Sequence, residues 1–187
     1  AILEDLQNRM QQDFPALADL TAQTVQCDIQ DVDAGLEAYS SPAFYMIPPI
    51  DALMQNTIRI NRSSTADGIE LYTTLAHEGY PGHLYQTVYS SLVCDTQTLP
   101  IRKLFSYGGY VEGWAYYTER ISYEYAAQVL AEAEGSLGSS YPAALLCTLL
   151  AQQRDLQINL FCLLDLSLHY YGAEKSELLR SLESFGL

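Results

Sequence analysis

The chain has 187 residues, 49% hydrophobic and only 17% charged, against a typical charged share of about 25%, a composition that rules out general disorder and suffices for a core without disulfides. Nine Lys and Arg against 23 Asp and Glu give a net charge of −14, the wrong sign for following phosphates, which argues against nucleic acid and anionic membrane surfaces as partners. No apolar run approaches the roughly 18 to 20 residues that span a bilayer, and no basic-then-apolar leader opens the chain.

Ile2 to Phe14 carries Ile2, Leu3, Leu6 and Met10 at helical spacing and stops at Pro15, which predicts an amphipathic lead-in helix. Val25 to Ile29, Ala43 to Ile47 and Asn56 to Asn61 read as short strands, the last by its apolar–polar alternation. Asp67 followed by Glu70 has the pattern of an N-cap with its capping-box partner, opening a helix through Leu71, Leu75 and His77. Pro81-Gly82 must disturb that helix, because proline lacks the amide donor and its ring meets the carbonyl four residues back. A second helical run is expected from Gly108-Gly109 to about Ala133, before the turn-rich 135–140 segment. A third is expected from Pro142 to His169 or Tyr170, broken by Gly172, and a last one over Glu174 to Ser184 with Leu178, Leu179 and Leu182 inward. The expected fold is therefore mostly α (α+β), with a small antiparallel sheet near the N-terminal part, in a single domain over 1–187 divided into a lead-in helix and loop (1–42) and a core (43–187). The four cysteines show no C-x-x-C pair, and Cys147 and Cys162, in apolar helical stretches, read as buried free thiols.

All three histidines fall in suggestive places, two of them in His77-Glu78-Gly79-Tyr80-Pro81-Gly82-His83. In zinc peptidases of the H-E-x-x-H kind, histidines one turn apart hold the metal and the glutamate beside the first activates a water. Here the second histidine is six residues on, roughly 120° round a regular helix at about 100° per residue, so a straight helix would not chelate. Pro81 and Gly82 are the residues that unwind a turn and let His83 return toward His77. Zinc also wants a third ligand, commonly a carboxylate from a later helix. Glu112 is the candidate, in an apolar helical stretch where Glu112, Tyr116 and Glu119 share one face at i, i+4 and i+7. Glu119 reads as a supporting partner or an alternative ligand, and Tyr116 as an additional donor. Asp165 and His169 are one turn apart, either as a buried satisfied pair or as a carboxylate orienting a histidine that donates to an oxyanion.

With these residues in hand, the chain resembles the bacterial domain-of-unknown-function 885 family, whose members look like zincin-like zinc metallopeptidases. Thr74 to Gln86 is close to the family's H-E-x-x-P-G-H-x-x-Q, and Glu112-Gly113-Trp114-Ala115-Tyr116-Tyr117-Thr118-Glu119 to its E-G-W-A-x-Y-x-E. Asp165 to His169 and Gly172 correspond more loosely to D-x-G-x-H-x-x-G-W. In that segment Ser167 stands where glycine is usual, Ala173 replaces the tryptophan, and Phe161 occupies a place where arginine is common. The resemblance implies one zinc ion held by His77, His83 and Glu112, with Glu78 as general base. It also implies a longer parent protein of bacterial origin, so that this chain looks like a fragment, either cytoplasmic or exported behind a leader that precedes Ala1.

The expected function is zinc-dependent hydrolysis of peptide bonds, with a peptide or protein as partner and the extended segment from Asn56 to Asn61 aligning it by strand addition. Two alternatives stand beside it. One is a non-catalytic or degenerate zinc- or peptide-binding module, against which Glu78 speaks because a structural site needs no base. The other is a metallohydrolase acting on non-peptide amides or esters. Substrate, exo or endo action, and oligomeric state are not legible in the sequence.

Overall fold

Three short segments pair into a sheet, and the helix that follows the last of them packs against it. The computed structural model describes residues 1–66, 68–93, 105, 107–134 and 142–184. It divides into two compact units, Ala1–Ser139 and Ser140–Leu187. In the first unit, α1 (Ile2–Arg9) is followed by a 3-10 turn at Met10–Gln12, then β1 (Gln26–Asp31), β2 (Ala43–Met46) and β3 (Gln55–Ile60). Next come α2 (Gly68–Glu78), α3 (His83–Val93) and α4 (Gly108–Glu134). The fold is mostly helical with one small sheet, as the sequence predicts.

The sheet differs from expectation in direction. Its order is β1-β3-β2, with β3 antiparallel to β2 but parallel to β1. The reversal between β1 and β2 leaves those two strands running in opposite senses. A third strand inserted between them must match one and oppose the other, so the sheet is mixed rather than antiparallel. This also removes strand addition at Asn56 to Asn61, since β3 has both edges occupied and offers none to a peptide. Along β3, Asn56 and Ile58 are buried while Thr57 and Arg59 are half-buried, the period of two that puts alternate side chains on opposite faces. Asn56 is satisfied from both neighbouring strands and from the segment before its own: its amide donates to the Gln26 and Leu53 carbonyls at 3.2 Å, and its Oδ1 accepts the Tyr45 hydroxyl at 2.7 Å.

The core under the sheet is built from Leu6, Met10, Ile58, Leu75, Ala76, Leu84, Tyr85, Val88 and Ala115, all nearly inaccessible. α2 lies along α4, and α1 packs on both. Arg9 pins that arrangement: its guanidinium donates to Asp5 one turn back and to Glu132 (2.7 Å) and Gln128 (2.9 Å) on α4. Asp5 in turn accepts the Tyr72 hydroxyl from α2 at 2.7 Å. Asp67, read as the cap of α2, lies outside the described residues, as do Cys94 and the 135–140 turn.

In the second unit α5 (Ala143–Asp165) starts immediately after Pro142, runs into a π turn at Leu166–Tyr170, and is followed by α6 (Lys175–Ser184). Gly172 breaks the chain between them with φ of +67°, a conformation that glycine adopts without steric cost. Ala143, Cys147 and Ala151 form one buried stripe at i, i+4 and i+8. Beyond Ala151 this unit buries no described residue, so Cys162 is an exposed thiol rather than a buried one, while Cys147 is buried as expected. On α6, Leu178 and Leu182 are half-buried as expected but Leu179 is exposed.

Candidate metal centre

The last turn of α2 presents His77 and Glu78, and the helix then stops because Pro81 cannot supply an amide to the carbonyl of His77. The chain folds into a bend closed by two wide backbone bonds, Gly82 N–H to the Ala76 carbonyl (2.9 Å) and Tyr85 N–H to the Gly79 carbonyl (3.1 Å). The Tyr80–Pro81 peptide is cis. Gly82 is required by crowding: a Cβ there would lie 1.8 Å from the His77 carbonyl oxygen. His83 opens α3 on the far side, and its ring centre comes within 4.8 Å of that of His77, at 87°. The bend thus brings together two rings that a continuous helix would separate.

α4 lies across this pair and contributes two carboxylates from one face. Glu112 Oε2 is 3.6 Å from His77 Nε2 and 3.7 Å from His83 Nε2. Glu119, one face-repeat later and almost wholly buried, accepts from His77 Nδ1 at 3.0 Å. The two nitrogens of His77 are therefore divided: Nδ1 toward the buried carboxylate, and Nε2 toward Glu112 and His83. That division selects the tautomer whose Nε2 lone pair is available to a metal. Glu78 joins from the other side, its Oε2 accepting the backbone amide of Tyr45 on β2 at 2.8 Å. Donor atoms of His77, Glu78 and His83 lie within 4.8 Å of one another.

Electrostatics separate these neighbours. Burial pushes the His77 imidazole down, but the hydrogen bond to Glu119 and the charges of Glu78, Glu119 and Glu112 outweigh it and hold the ring above its ordinary range. Burial and the neighbouring His77 charge hold His83 below that range, against the pull of Glu112. Burial raises the Glu78 carboxyl, with Glu112 and Glu119 adding to it and the Tyr45 amide and His77 opposing. A raised carboxyl beside two imidazoles is a base brought nearer neutrality.

Two imidazole nitrogens and one carboxylate oxygen are the donor set of a catalytic zinc ion, which keeps a fourth position for water. The 3.6 and 3.7 Å separations to Glu112 lie close to the edge, about 3.3 Å, of a tetrahedron built on zinc bonds of roughly 2.05 Å. The residues present therefore fit a zinc ion, with Glu112 the better third ligand than Glu78, whose Oε2 is engaged by β2. Glu119, read from the sequence as a supporting partner or an alternative ligand, lies against His77 Nδ1. Tyr116 is half-buried on α4, one turn after Glu112. His169 and Asp165 belong to the second unit, 76% and 71% exposed and 3.6 Å apart, so the buried pair foreseen there is not formed.

Two contributors escaped the sequence. The Tyr45 amide is a main-chain donor and has no side-chain signature, and the pairing that aims it at Glu78 is long-range. Trp114 was visible as a motif residue, but its bond to the bend was not: the indole Nε1 donates to the Pro81 carbonyl at 2.9 Å.

In fold the chain is similar to a solved structure described as "The crystal structure of the putative lipoprotein from Colwellia psychrerythraea", with a TM-score of 0.62 and 21% sequence identity. The likeness covers 97% of this chain and 29% of that one, so this chain spans less than a third of that protein's length, and at such identity it is a likeness of fold alone. No curated protein matches. The model of the family described as bacterial protein of unknown function (DUF885) matches residues 1–174, and the chain belongs to that family.

Proposed function

We propose that the chain carries the metal centre of a zinc-dependent peptidase. The observation that supports this most is the convergence of His77, His83 and Glu112, with Glu78 held beside them by the Tyr45 amide. When bound, zinc would polarise a scissile carbonyl and make an attacking water acidic enough to ionise near neutral pH. The chain's own residues divide the remaining work. His77 and His83 would bind through Nε2, and Glu112 through Oε2. Glu119 holds the Nδ1 proton of His77 and keeps the ring facing inward. Glu78 receives the proton of the attacking water on Oε1, because Oε2 is engaged by Tyr45, and returns it to the departing nitrogen. Amide hydrolysis demands such a return, since an amine leaves only when protonated.

The word lipoprotein in the description of the Colwellia protein supports an exported location for this chain also. No described helix is long and apolar enough to cross a membrane.

The test is a peptide library incubated with zinc-loaded protein and read by mass spectrometry. Cleavage should vanish with chelator and fall about 10²- to 10⁴-fold in Glu78→Gln with zinc retained, the range for loss of a positioned base. Cleavage unaffected by Glu78→Gln would refute the assigned base. Zinc-dependent turnover of esters or acyl amides without peptide cleavage would replace the peptidase by a broader metallohydrolase.

A further inference from the structure

The bend between α2 and α3 holds the metal centre together, and its carbonyls cannot be satisfied by a regular helix ladder. Pro81 is among the most completely buried side chains and brings no amide of its own. A buried carbonyl without a donor is destabilising, so such groups are nearly always paired. The donor for Pro81 is the Trp114 indole at 2.9 Å. Trp114 stands on α4 two residues after Glu112 and five before Glu119, so the helix that supplies the carboxylates also grips the bend two residues before His83.

The indole is itself fixed. Its ring meets Phe14 edge-on at 5.6 Å, lies nearly parallel to Tyr85 at 6.5 Å and 12°, and tilts against Tyr117 at 6.2 Å. Packing and hydrogen bonding are therefore separable functions of this residue: phenylalanine keeps an aromatic ring among these neighbours, with part of the packing, and deletes the hydrogen bond.

We infer that Trp114 is a positioning residue for the metal centre, its N–H setting the place of His83 relative to His77 and Glu112 through the Pro81 carbonyl. This rests on the metal reading proposed above. By linkage, a clamp that favours the metal-binding arrangement must itself be tightened by the metal. Trp114 is the chain's one tryptophan, so its indole N–H gives one unambiguous nuclear magnetic resonance signal.

Two measurements on the 187-residue chain test this. Zinc affinity by chelator competition should fall about tenfold or more in Trp114→Phe, the scale on which groups supporting metal ligands act. Tyr117→Leu, which loosens packing on the indole without touching its N–H, should lower the unfolding temperature of the metal-free protein yet leave zinc affinity within about twofold, since it keeps the bond to Pro81. In the parent, zinc should slow hydrogen exchange of the indole N–H, a readout that holds even if Trp114→Phe fails to fold. A folded Trp114→Phe with parental zinc affinity, or an indole N–H whose exchange ignores zinc, overturns the inference and leaves the metal reading standing. A parent that binds no zinc overturns both.

Discussion

Replacing Gly82 by alanine tests the bend directly. The added methyl would meet the His77 carbonyl oxygen at 1.8 Å and the Ala76 oxygen at 2.4 Å, both backbone atoms, where real Cβ atoms keep at least 3.0 Å. Gly82 is not one of the described glycines with positive φ, so crowding rather than handedness demands it. The two segments must separate by about 1.2 Å or more. That movement breaks the Gly82 amide bond to Ala76 and strains the one from Gln86 to the Gly82 carbonyl. At about 1 to 3 kcal/mol for each buried bond lost, the destabilisation is about 2 to 5 kcal/mol, a large share of the 5 to 15 kcal/mol typical of a domain. Urea unfolding of the metal-free protein would read it, with zinc affinity measured on the folded fraction. Gly79→Ala is the internal control: two of its three close neighbours are the flexible ends of Leu3 and Ile58, so its effect should be smaller. A Gly82→Ala protein within about 0.5 kcal/mol of the parent, with parental zinc affinity, would refute the account of how His83 reaches His77.

Glu119→Gln keeps an acceptor for His77 Nδ1 but removes the charge, and should weaken zinc binding about 10- to 100-fold in chelator competition; unchanged affinity would deny Glu119 its supporting role. Burial raises Glu78 in the metal-free protein, so its ionised form costs stability at neutral pH and its protonated form does not. With chelator present, Glu78→Gln should therefore unfold at a higher temperature than the parent at pH 7.5. The difference should shrink as pH falls through the raised range toward that of an ordinary carboxyl, and a difference constant with pH would contradict the sign. Burial and the Asp28 charge push the Cys27 thiol up to about 11, against a bond to the Ile58 backbone. At pH 8 its alkylation, followed by site-resolved mass spectrometry, should run about a hundredfold slower than that of an ordinary cysteine peptide, in proportion to its thiolate.

How far the sequence reaches is clearest at the bend. Two histidines six positions apart cannot chelate from a straight helix, and the Pro-Gly pair announces where the helix must fail, so the approach of His83 to His77 beside Glu78 is legible from local rules. That Glu112 and Glu119 share one face follows from helical spacing, seven residues apart; spacing alone does not say what that face meets. Strand direction is different: alternation marks Asn56 to Asn61 as a strand but contains nothing about its neighbours, and the insertion of β3 between β1 and β2 is fixed by chain reversal over long separations. The same holds for the Tyr45 amide, which reaches Glu78 across 33 residues. The leucine-rich α5 misleads in another way, since Leu145, Leu146, Leu149, Leu156 and Leu163 are exposed and apolar composition without a clear period does not say which face is covered.

Elemental analysis of purified protein reads whether His77, His83 and Glu112 together hold the one zinc ion proposed above. The parent should carry about one zinc per chain after reconstitution and dialysis, with His83→Ala and Glu112→Ala each retaining far less while keeping their helical circular dichroism. A folded parent without zinc, or a His83→Ala protein that holds zinc as firmly as the parent, would contradict it.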